Sequence, residues 1–206
     1  MQQTSLFNTL DFLTGLAIPV KYYPTFLTPQ DADKLFAYCQ QKLAWRQNQI
    51  RMIGKDIPLP RLECMYGEEG FEYTYSSSVH LKALPWTNEL STLKRQIEGI
   101  TGHKFQIVVG NFYRDGRDYI GWHSDNEASM GKSPAIASLS LGEARKFQIR
   151  LKPKGEIHNI WLEHGSLLLM QPGFQEDWLH QLPKSNQTGV RINLTFRPYA
   201  TQNSAS

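Results

Sequence analysis

The sequence has few cysteines and no long hydrophobic run, and both absences narrow the class of protein. Only two of its 206 residues are cysteine, so no framework of disulfides can hold a small secreted fold together. No apolar stretch approaches the roughly 20 residues that a helix needs to span a bilayer. The first residues carry Asp11 and no basic cluster, unlike a secretory signal. We therefore expect a cytoplasmic protein of a bacterium, or a nuclear one if the source is eukaryotic, without membrane contact.

The sequence also lacks a strong charge of either sign. Lys and Arg number 22 against 19 Asp and Glu, which gives a formal net charge of +3. Such a mild excess permits an anionic partner but does not require one. Hydrophobic residues make up 40% of the chain, so a chain of this length can bury a proper core as one domain.

Two segments in the first half carry the signals of amphipathic helices. The first starts at Thr28, a capping residue followed by proline and an acid. Its apolar stripe consists of Leu35, Phe36, Cys39 and Leu43. The second helix covers about residues 85–100, with Thr87 as its cap and Gly102 just past its end. Its expected buried side consists of Leu90, Leu93, Ile97 and Ile100.

The connector at residues 46–62 leaves two interpretations open. Basic residues surround an apolar tip around Met52 and Ile53; they are Arg46, Arg51, Lys55 and Arg61. An exposed hydrophobic tip ringed by basic residues could wedge into a nucleic-acid stack. It could also be a hairpin whose isoleucine and methionine pack on the core, and the sequence alone favours this packing role.

From residue 105 onward, short apolar strands alternate with glycine, proline and polar turns. The predicted strands are 105–113, 119–125, 136–141, 146–151, 158–161, 166–170, 178–182 and 190–197. An earlier strand at 71–76 puts Tyr73 and Tyr75 on one face, either as core or as a platform for a base. This order of elements predicts an α+β protein with a β-sandwich or jelly-roll core.

The triplet His123-Ser124-Asp125 is the candidate for metal chemistry. Residues two apart in a strand share a face, so His123 and Asp125 can hold one ion together. Non-haem iron(II) oxygenases use two histidines and one carboxylate on one face of the metal. An isolated His-x-Asp is more often a pair of solvated residues, so a second histidine is required. His180 is the candidate because it lies in an apolar strand, although a core histidine bonded to a backbone carbonyl would look the same.

The strand at 190–197 alternates between apolar and polar residues without a break. Its polar positions are Arg191, Asn193, Thr195 and Arg197. A half-exposed strand has this pattern, but two guanidiniums on one face could also bind a dicarboxylate. Asn111 and Tyr113 repeat the spacing within an apolar strand, where polar groups need partners such as the oxygens of a small acid.

In this order the motifs resemble the AlkB family of iron(II)/2-oxoglutarate dioxygenases, and within it the branch of DNA-repair dealkylases. The similarity runs from about Pro60 to Tyr199. Besides the metal triplet and the arginine strand it includes Pro60-Arg61, Tyr66-Gly67, Tyr73–Ser76, Tyr113–Gly116, Ser133–Ser138 and His164–Met170. The fold it implies is a double-stranded β-helix at about 105–199. Residues 1–104 would supply N-terminal helices and a nucleotide-recognition lid, and 200–206 a flexible tail.

The resemblance implies a role for each candidate residue. His123, Asp125 and His180 would hold Fe(II). The groups around 2-oxoglutarate would be Asn111, Tyr113, Arg191, Asn193 and Arg197, with Arg191 on the far carboxylate. The groups around nucleic acid would be Tyr73, Tyr75, Glu127, Arg61, Met52 and Ile53, with the last two as a finger that fills the gap left by a flipped base. The strand Lys146–Arg150 would contact phosphates, so that binding weakens as salt rises.

The activity that the resemblance implies is oxidative dealkylation of bases such as 1-methyladenine and 3-methylcytosine. The reaction would use Fe(II), 2-oxoglutarate and O2 and would release succinate, carbon dioxide and formaldehyde. The target base would leave the stack to be reached. We expect a monomer that acts on alkylated DNA. One alternative is an oxygenase that acts on RNA. Others are an oxygenase acting on a small molecule or protein, and a nucleic-acid-binding jelly roll without turnover.

Overall fold

The computed structural model describes residues 18–76 and 79–200, without the side chains of Tyr75 and Ser76. The predicted tail at 200–206 therefore lies outside the described residues except for Ala200. The described part of the chain contains three α-helices, α1 (Pro29–Lys42), α2 (Asn88–Thr101) and the single turn α3 (Phe174–Asp177), and one 3-10 helix at Ala128–Met130. None of them is long and apolar enough to cross a membrane.

Both predicted helices form where the sequence signals lie. The Thr28 hydroxyl accepts a hydrogen bond from the Asp31 amide at 3.2 Å, and Thr87 caps α2 in the same way. Gly102 ends α2 with φ of 74°, a left-handed conformation that favours glycine. One detail of the prediction is wrong: Ile100 is 54% exposed, because it lies in the last turn of α2, outside the buried stripe of Leu90, Leu93 and Ile97.

The described part of the chain contains fifteen strands. The first seven strands are β1 (Val20–Tyr23), β2 (Gln49–Met52), β3 (Lys55–Pro58), β4 (Leu62–Gly67), β5 (Glu72–Ser76), β6 (Val79–Lys82) and β7 (Leu84–Pro85). The next eight are β8 (Ile107–Tyr113), β9 (Ile120–His123), β10 (Ile136–Gly142), β11 (Arg145–Leu151), β12 (His158–Leu162), β13 (Leu167–Met170), β14 (Trp178–Leu182) and β15 (Arg191–Arg197). All eight strands predicted after residue 105 are confirmed, with ends shifted by up to two residues.

Two sheets form the jelly roll, and the α+β prediction is confirmed. The larger sheet has the order β1-β13-β10-β15-β8-β4-β7 and the smaller one β12-β11-β14-β9. Strands β8 to β15 supply four strands to each sheet, whereas β1, β4 and β7 extend the larger sheet. Both α1 and α2 contribute apolar residues to the core on one face of the larger sheet. Burying each large apolar side chain of these helices stabilises the fold by about 1.5–3 kcal/mol.

The polar face of β15 lies inside the molecule. Arg191, Thr195 and Arg197 are buried in the described structure, so the strand is not half-exposed. The register sets polar residues of four strands in one row, because Asn111 of β8 pairs with both Glu63 and Asn193, and Asn193 pairs with Ser140. The larger sheet therefore presents a polar floor to the space between the two sheets.

Two small hairpins stand beside the sandwich: β2–β3 and β5–β6. At the tip of the first, Ile53 is 100% exposed and Met52 is 50% exposed. The favoured interpretation, in which the tip packs on the core, is therefore wrong; only Ile50 packs against the core. The tip is exposed because Ile53, with φ of 49°, and Gly54 form the turn itself.

Candidate active site

The two candidate histidines face each other across the smaller sheet. His180 of β14 pairs in register with His123 of the edge strand β9, and their ring centroids are 4.1 Å apart. Asp125 lies two residues beyond the end of β9 and is 4% exposed. Each of the three side chains offers a ligand atom, and these atoms lie within 4.8 Å of one another. The residues brought together by the fold are therefore those that the sequence predicted as a triad.

The geometry of the triad suits one metal ion. Asp125 Oδ1 lies 3.8 Å from His123 Nε2, and Asp125 Oδ2 lies 3.5 Å from His180 Nε2. Two ligand atoms that each bind an ion at about 2 Å can be up to about 4 Å apart. We assign the His123 Nδ1 proton to the hydrogen bond with Gly121 O at 2.7 Å. This tautomer leaves the Nε2 lone pair free for a metal.

The protonation states of His123 and Asp125 also suit metal binding. Burial and the neighbouring His180 lower the pKa of His123 to about 4, so its imidazole is neutral near pH 7. Burial alone would raise the pKa of Asp125, but Arg197 and the two histidines outweigh it and hold that pKa well below its usual range. The buried His180 Nδ1 has no hydrogen-bond partner in the described structure, so no backbone carbonyl accounts for its position.

Arg197 joins the triad to the aromatic wall of the cavity. Its Nη2 lies 3.2 Å from Asp125 Oδ1, and its guanidinium stacks over Tyr73 at 4.8 Å from the ring centroid. Arg197 Nη1 also donates to the Tyr73 hydroxyl. Glu127 lines the same wall, and burial together with the Asp125 charge raises its pKa. A cation, an anion and an aromatic ring thus hold one another beside the proposed metal position.

Arg191 is a buried arginine without a carboxylate partner among the described residues. Its side chain is 2% exposed and donates only to neutral oxygens, Ser140 Oγ at 2.8 Å and Leu162 O at 3.3 Å. Its Nε has no partner, and it makes no salt bridge with any described residue. Burial lowers its pKa to about 10, so it stays charged near pH 7. A buried, uncompensated guanidinium is costly, and a bound carboxylate would satisfy it.

Asn111 lies on the polar floor, where it is held by a buried ion pair. Arg61 Nε donates to Asn111 Oδ1 at 2.9 Å, and Arg61 Nη2 lies 2.8 Å from Glu63 Oε1. Arg61 is 5% exposed, so it lines the cavity and does not lie at the outer surface, where a phosphate would run. Asn193 donates to Ser138 Oγ at 2.7 Å and to Leu139 O at 3.0 Å, which makes it a support of the floor.

The remaining predicted residues divide between the cavity wall and the surface. Tyr73, Tyr113 and Glu127 line a cavity of about 490 Å³ that also contains the triad and Arg191. Tyr75 lies on β5, but its side chain is outside the described residues. Met52 and Ile53 are exposed at the hairpin tip, and neither lines the cavity.

Two side chains that were not predicted from the sequence support the segment that carries Ser124 and Asp125. Gln175 Oε1 accepts a hydrogen bond from the Asp125 amide at 2.9 Å, and this glutamine is 1% exposed. Lys152 Nζ donates to Ser124 Oγ at 3.2 Å and to Gln175 O at 2.9 Å. Neither residue carries a local signal, because only tertiary packing brings them together. Ser140 was detectable, because Ser138 and Ser140 are the polar residues of a mostly apolar strand.

The residues present fit Fe(II) and 2-oxoglutarate. Two histidines and one carboxylate form the donor set typical of non-haem iron oxygenases, and Arg191, which has no carboxylate partner among the described residues, provides a site for a carboxylate in the same cavity. The prediction of the triad as a candidate metal site is thus supported by geometry and by charge.

Comparison with known proteins agrees with this donor set. The model of the 2OG-Fe(II) oxygenase superfamily matches residues 19–197. The chain is 43% identical over 188 residues to rat alpha-ketoglutarate-dependent dioxygenase alkB homolog 3, and the match covers 85% of this chain and 62% of the rat protein. It is 33% identical over 187 residues to mouse DNA oxidative demethylase ALKBH2, with 85% and 78% covered.

A solved structure of OsALKBH1 has the same fold. The TM-score is 0.65 at 17% identity, and the match covers 88% of this chain and 99% of that one. The chain spans just under two thirds of the length of its alkB homolog 3 relatives, 62% of the rat protein and 64% of the human one. On the family match and these relatives, the chain belongs to the 2OG-Fe(II) oxygenase superfamily and is a homologue of the AlkB proteins.

Proposed function

We propose that the chain is an Fe(II)- and 2-oxoglutarate-dependent dioxygenase that removes N-alkyl groups from bases in nucleic acid. The observation that carries the proposal is the position of a His-Asp-His set and an unpaired, buried Arg191 in one cavity. The names of the relatives support the reaction class, since one group is named for alpha-ketoglutarate-dependent oxidation and another for DNA demethylation.

The chain's own residues would position the reactants. Fe(II), once bound with 2-oxoglutarate and O2, supplies the oxidising power to hydroxylate an N-methyl carbon. His123, Asp125 and His180 would hold the ion from one side and leave the opposite side open. Arg191 would bind the far carboxylate of the cosubstrate through paired hydrogen bonds. Hydroxylation of an N-methyl carbon gives a group that breaks down to formaldehyde and the unmodified base.

The wall formed by Tyr73 and Glu127 would receive the target base. Tyr73 is 2% exposed and is fixed by Arg197, so its position in the wall is rigid. The buried Glu127 Oε2 has no hydrogen-bond partner in the described structure, which makes it available to the exocyclic amine of a base. Such a pocket requires the base to leave the stack, and a lesion that cannot pair makes that step cheaper.

The finer assignment is to 1-methyladenine and 3-methylcytosine in DNA, with RNA as an alternative substrate and the monomer as the active form. The exposed apolar hairpin tip supports a DNA substrate, since a tip of this kind can fill the gap left by a flipped base. Burying the Arg191 guanidinium without a counterion costs several kcal/mol. A non-catalytic binding protein would gain nothing that offsets this cost.

The test is turnover of a single-stranded oligonucleotide with one 1-methyladenine, supplied with Fe(II), 2-oxoglutarate and O2. We expect equal amounts of unmodified base and succinate from the wild-type chain and none from Asp125→Ala. Asp33→Ala is the matched control, because Asp33 lies on α1 with a 78% exposed side chain that faces His164. Full turnover by Asp125→Ala, or none by the wild-type chain, would reject the proposal.

A further inference from the structure

Strand β9 is the edge of the smaller sheet, and it lies beside the mouth of the cavity. The order β12-β11-β14-β9 leaves one side of β9 unpaired among the described strands. Gly121 and Trp122 of this strand line the cavity with the metal triad. Just before the strand, the Tyr119 amide donates to Pro60 O at 3.1 Å, which joins this edge to the chain that leaves the first hairpin.

Two aromatic side chains of this edge each carry a stacked cation. The guanidinium carbon of Arg150 lies 4.4 Å from the ring centroid of Trp122. Lys184 Nζ lies 4.9 Å from the ring centroid of Tyr119, which is 36% exposed. A cation over an aromatic face is attracted by the ring electrons and stays available to a second, anionic partner. The edge therefore combines flat apolar surfaces with positive charge.

The positive charge of the edge is not neutralised by nearby acids. Strands β9, β11, β12 and β14 contain no Asp or Glu. The two acids just before Tyr119 already have partners, because Asp115 pairs with Arg117 at 2.6 Å and Asp118 with Arg114 at 2.7 Å. Neither cation of the edge makes a salt bridge with a described residue, and Arg150 Nε has no hydrogen-bond partner.

We propose that this edge, formed by Tyr119, Trp122, Arg150 and Lys184, binds the single-stranded nucleotides that flank the target base. Aromatic faces stack with any base and cations follow the phosphates, which is how sequence-independent single-strand sites are built. A duplex cannot use the same surface, because its bases are already stacked on one another. The inference rests on the proposed function and adds that flanking nucleotides are recognised by stacking, independently of the lesion.

The same sheet provides a matched control at its opposite edge. On β12, Trp161 is 50% exposed and Lys146 Nζ lies 5.7 Å from its ring centroid. This pair has the same chemistry, but three strand spacings, or about 14 Å, separate β12 from β9. Of the strand Lys146–Arg150 that was expected to contact phosphates, only Arg150 therefore belongs to the proposed edge. A surface that binds nucleic acid only by non-specific electrostatic attraction would bind equally well at the Trp161–Lys146 pair and at the Trp122–Arg150 pair.

The experiment measures the affinity for an unmodified, fluorescein-labelled single-stranded oligonucleotide by fluorescence anisotropy at low salt. We expect Tyr119→Ala and Trp122→Ala each to weaken binding by about fivefold or more, as for a stacked aromatic. Tyr119→Phe keeps the ring and Trp161→Ala lies at the far edge, so both should stay within about twofold of wild type. Lys184→Ala should lower the slope of log affinity against log salt by about 0.7.

Wild-type affinity in Tyr119→Ala, an equal loss in Trp161→Ala, or no binding by the wild-type chain would overturn the inference. Turnover of the methylated oligonucleotide by the same preparations separates this outcome from a failure of the proposed function. Turnover with unchanged binding in Tyr119→Ala rejects the stacking edge alone. Should Trp122→Ala fail to fold, the contrast between Tyr119→Ala and Tyr119→Phe still decides the question.

Discussion

At the scale of single residues, four arginines are buried in the described structure, and they differ in how their charge is satisfied. Arg61 pairs with the Glu63 carboxylate. Arg197 pairs with the Asp125 carboxylate. Arg145 donates to three backbone carbonyls, including Pro183 O at 2.6 Å, and its charge is also favoured by nearby acids. Arg191 has only neutral oxygens and a like charge from Arg145 around it. Among these arginines, Arg191 is therefore the one whose charge a bound carboxylate would neutralise.

We therefore predict that Arg191→Gln weakens the binding of 2-oxoglutarate by about tenfold or more, since a hydrogen bond to a charged group contributes about 1.5–3 kcal/mol. The measurement is the KM for 2-oxoglutarate in the succinate assay. Arg114→Gln is the control, because Arg114 is a partly exposed arginine paired with Asp118 outside the cavity. An unchanged KM in Arg191→Gln would mean that the carboxylate binds elsewhere.

A second residue-scale prediction concerns Gln175, which holds the Asp125 amide. Without this hydrogen bond the segment carrying the metal carboxylate loses its support, so Gln175→Ala should weaken metal binding by about tenfold, as for other groups that orient ligands. Equilibrium titration with Mn(II), followed by electron paramagnetic resonance, measures the change. Gln181 lies on β14 next to His180 but does not contact the Asp125 amide, so Gln181→Ala should bind Mn(II) as tightly as wild type. Equal Mn(II) affinities of the Gln175→Ala and Gln181→Ala variants would show that Gln175 does not support the metal site.

At the scale of elements, two glycines differ in how closely neighbouring atoms approach their Cα positions. A Cβ on Gly110 of β8 would lie 2.7 Å from Cys64 Sγ and 2.9 Å from Trp45, whereas one on Gly99 of α2 would meet nothing within 4 Å. Gly110→Ala should therefore destabilise the chain by about 1–3 kcal/mol through overpacking. Gly99→Ala should stabilise it by about 0.5–1 kcal/mol, because alanine favours the helix.

Urea unfolding followed by circular dichroism measures both free energies of unfolding. The two variants should change the free energy of unfolding in opposite directions. A Gly110→Ala chain as stable as wild type would show that β4 and the residues before it do not pack on β8 as described.

The hairpin tip gives a prediction that separates duplex from single strand. Ile53 is fully exposed, so Ile53→Ala should change the free energy of unfolding by less than about 0.5 kcal/mol. If the tip fills the gap left by a flipped base, turnover of methylated duplex should fall more than turnover of the same single strand. Equal loss on both substrates would reject the wedge.

Elements were more predictable than the contacts between them. Caps at Thr28 and Thr87 and the strict alternation of β15 are local patterns, so α1, α2 and the strands from β8 onward followed from the sequence. Strands β1, β4, β6 and β7 were not predicted. The hairpin tip was mispredicted, because apolar residues pack inward by default and nothing local reports that Ile53 stands alone in solvent. Gln175 and Lys152 could not be found, since they meet the metal segment only through tertiary packing.

At the scale of the whole molecule, the jelly roll converts separate strand signals into one site. The two histidines of the triad come from the smaller sheet, Asp125 from the segment just after β9, and Arg191 from the larger sheet. These residues are far apart along the chain, so no local pattern predicts that they lie close together. Only the resemblance to AlkB proteins implies this proximity from the sequence. Closing the two sheets over a polar floor puts the His-Asp-His set and Arg191 into one cavity.

The most direct test of this account is an anaerobic titration of the chain with Fe(II) and 2-oxoglutarate, followed by the visible absorption of the iron complex of a 2-oxo acid. The account predicts saturation at one iron and one 2-oxoglutarate per chain. It also predicts loss of the band in His180→Ala and a tenfold or greater rise in the 2-oxoglutarate requirement in Arg191→Gln. A wild-type chain without the band, or a full band in His180→Ala, would contradict the site described.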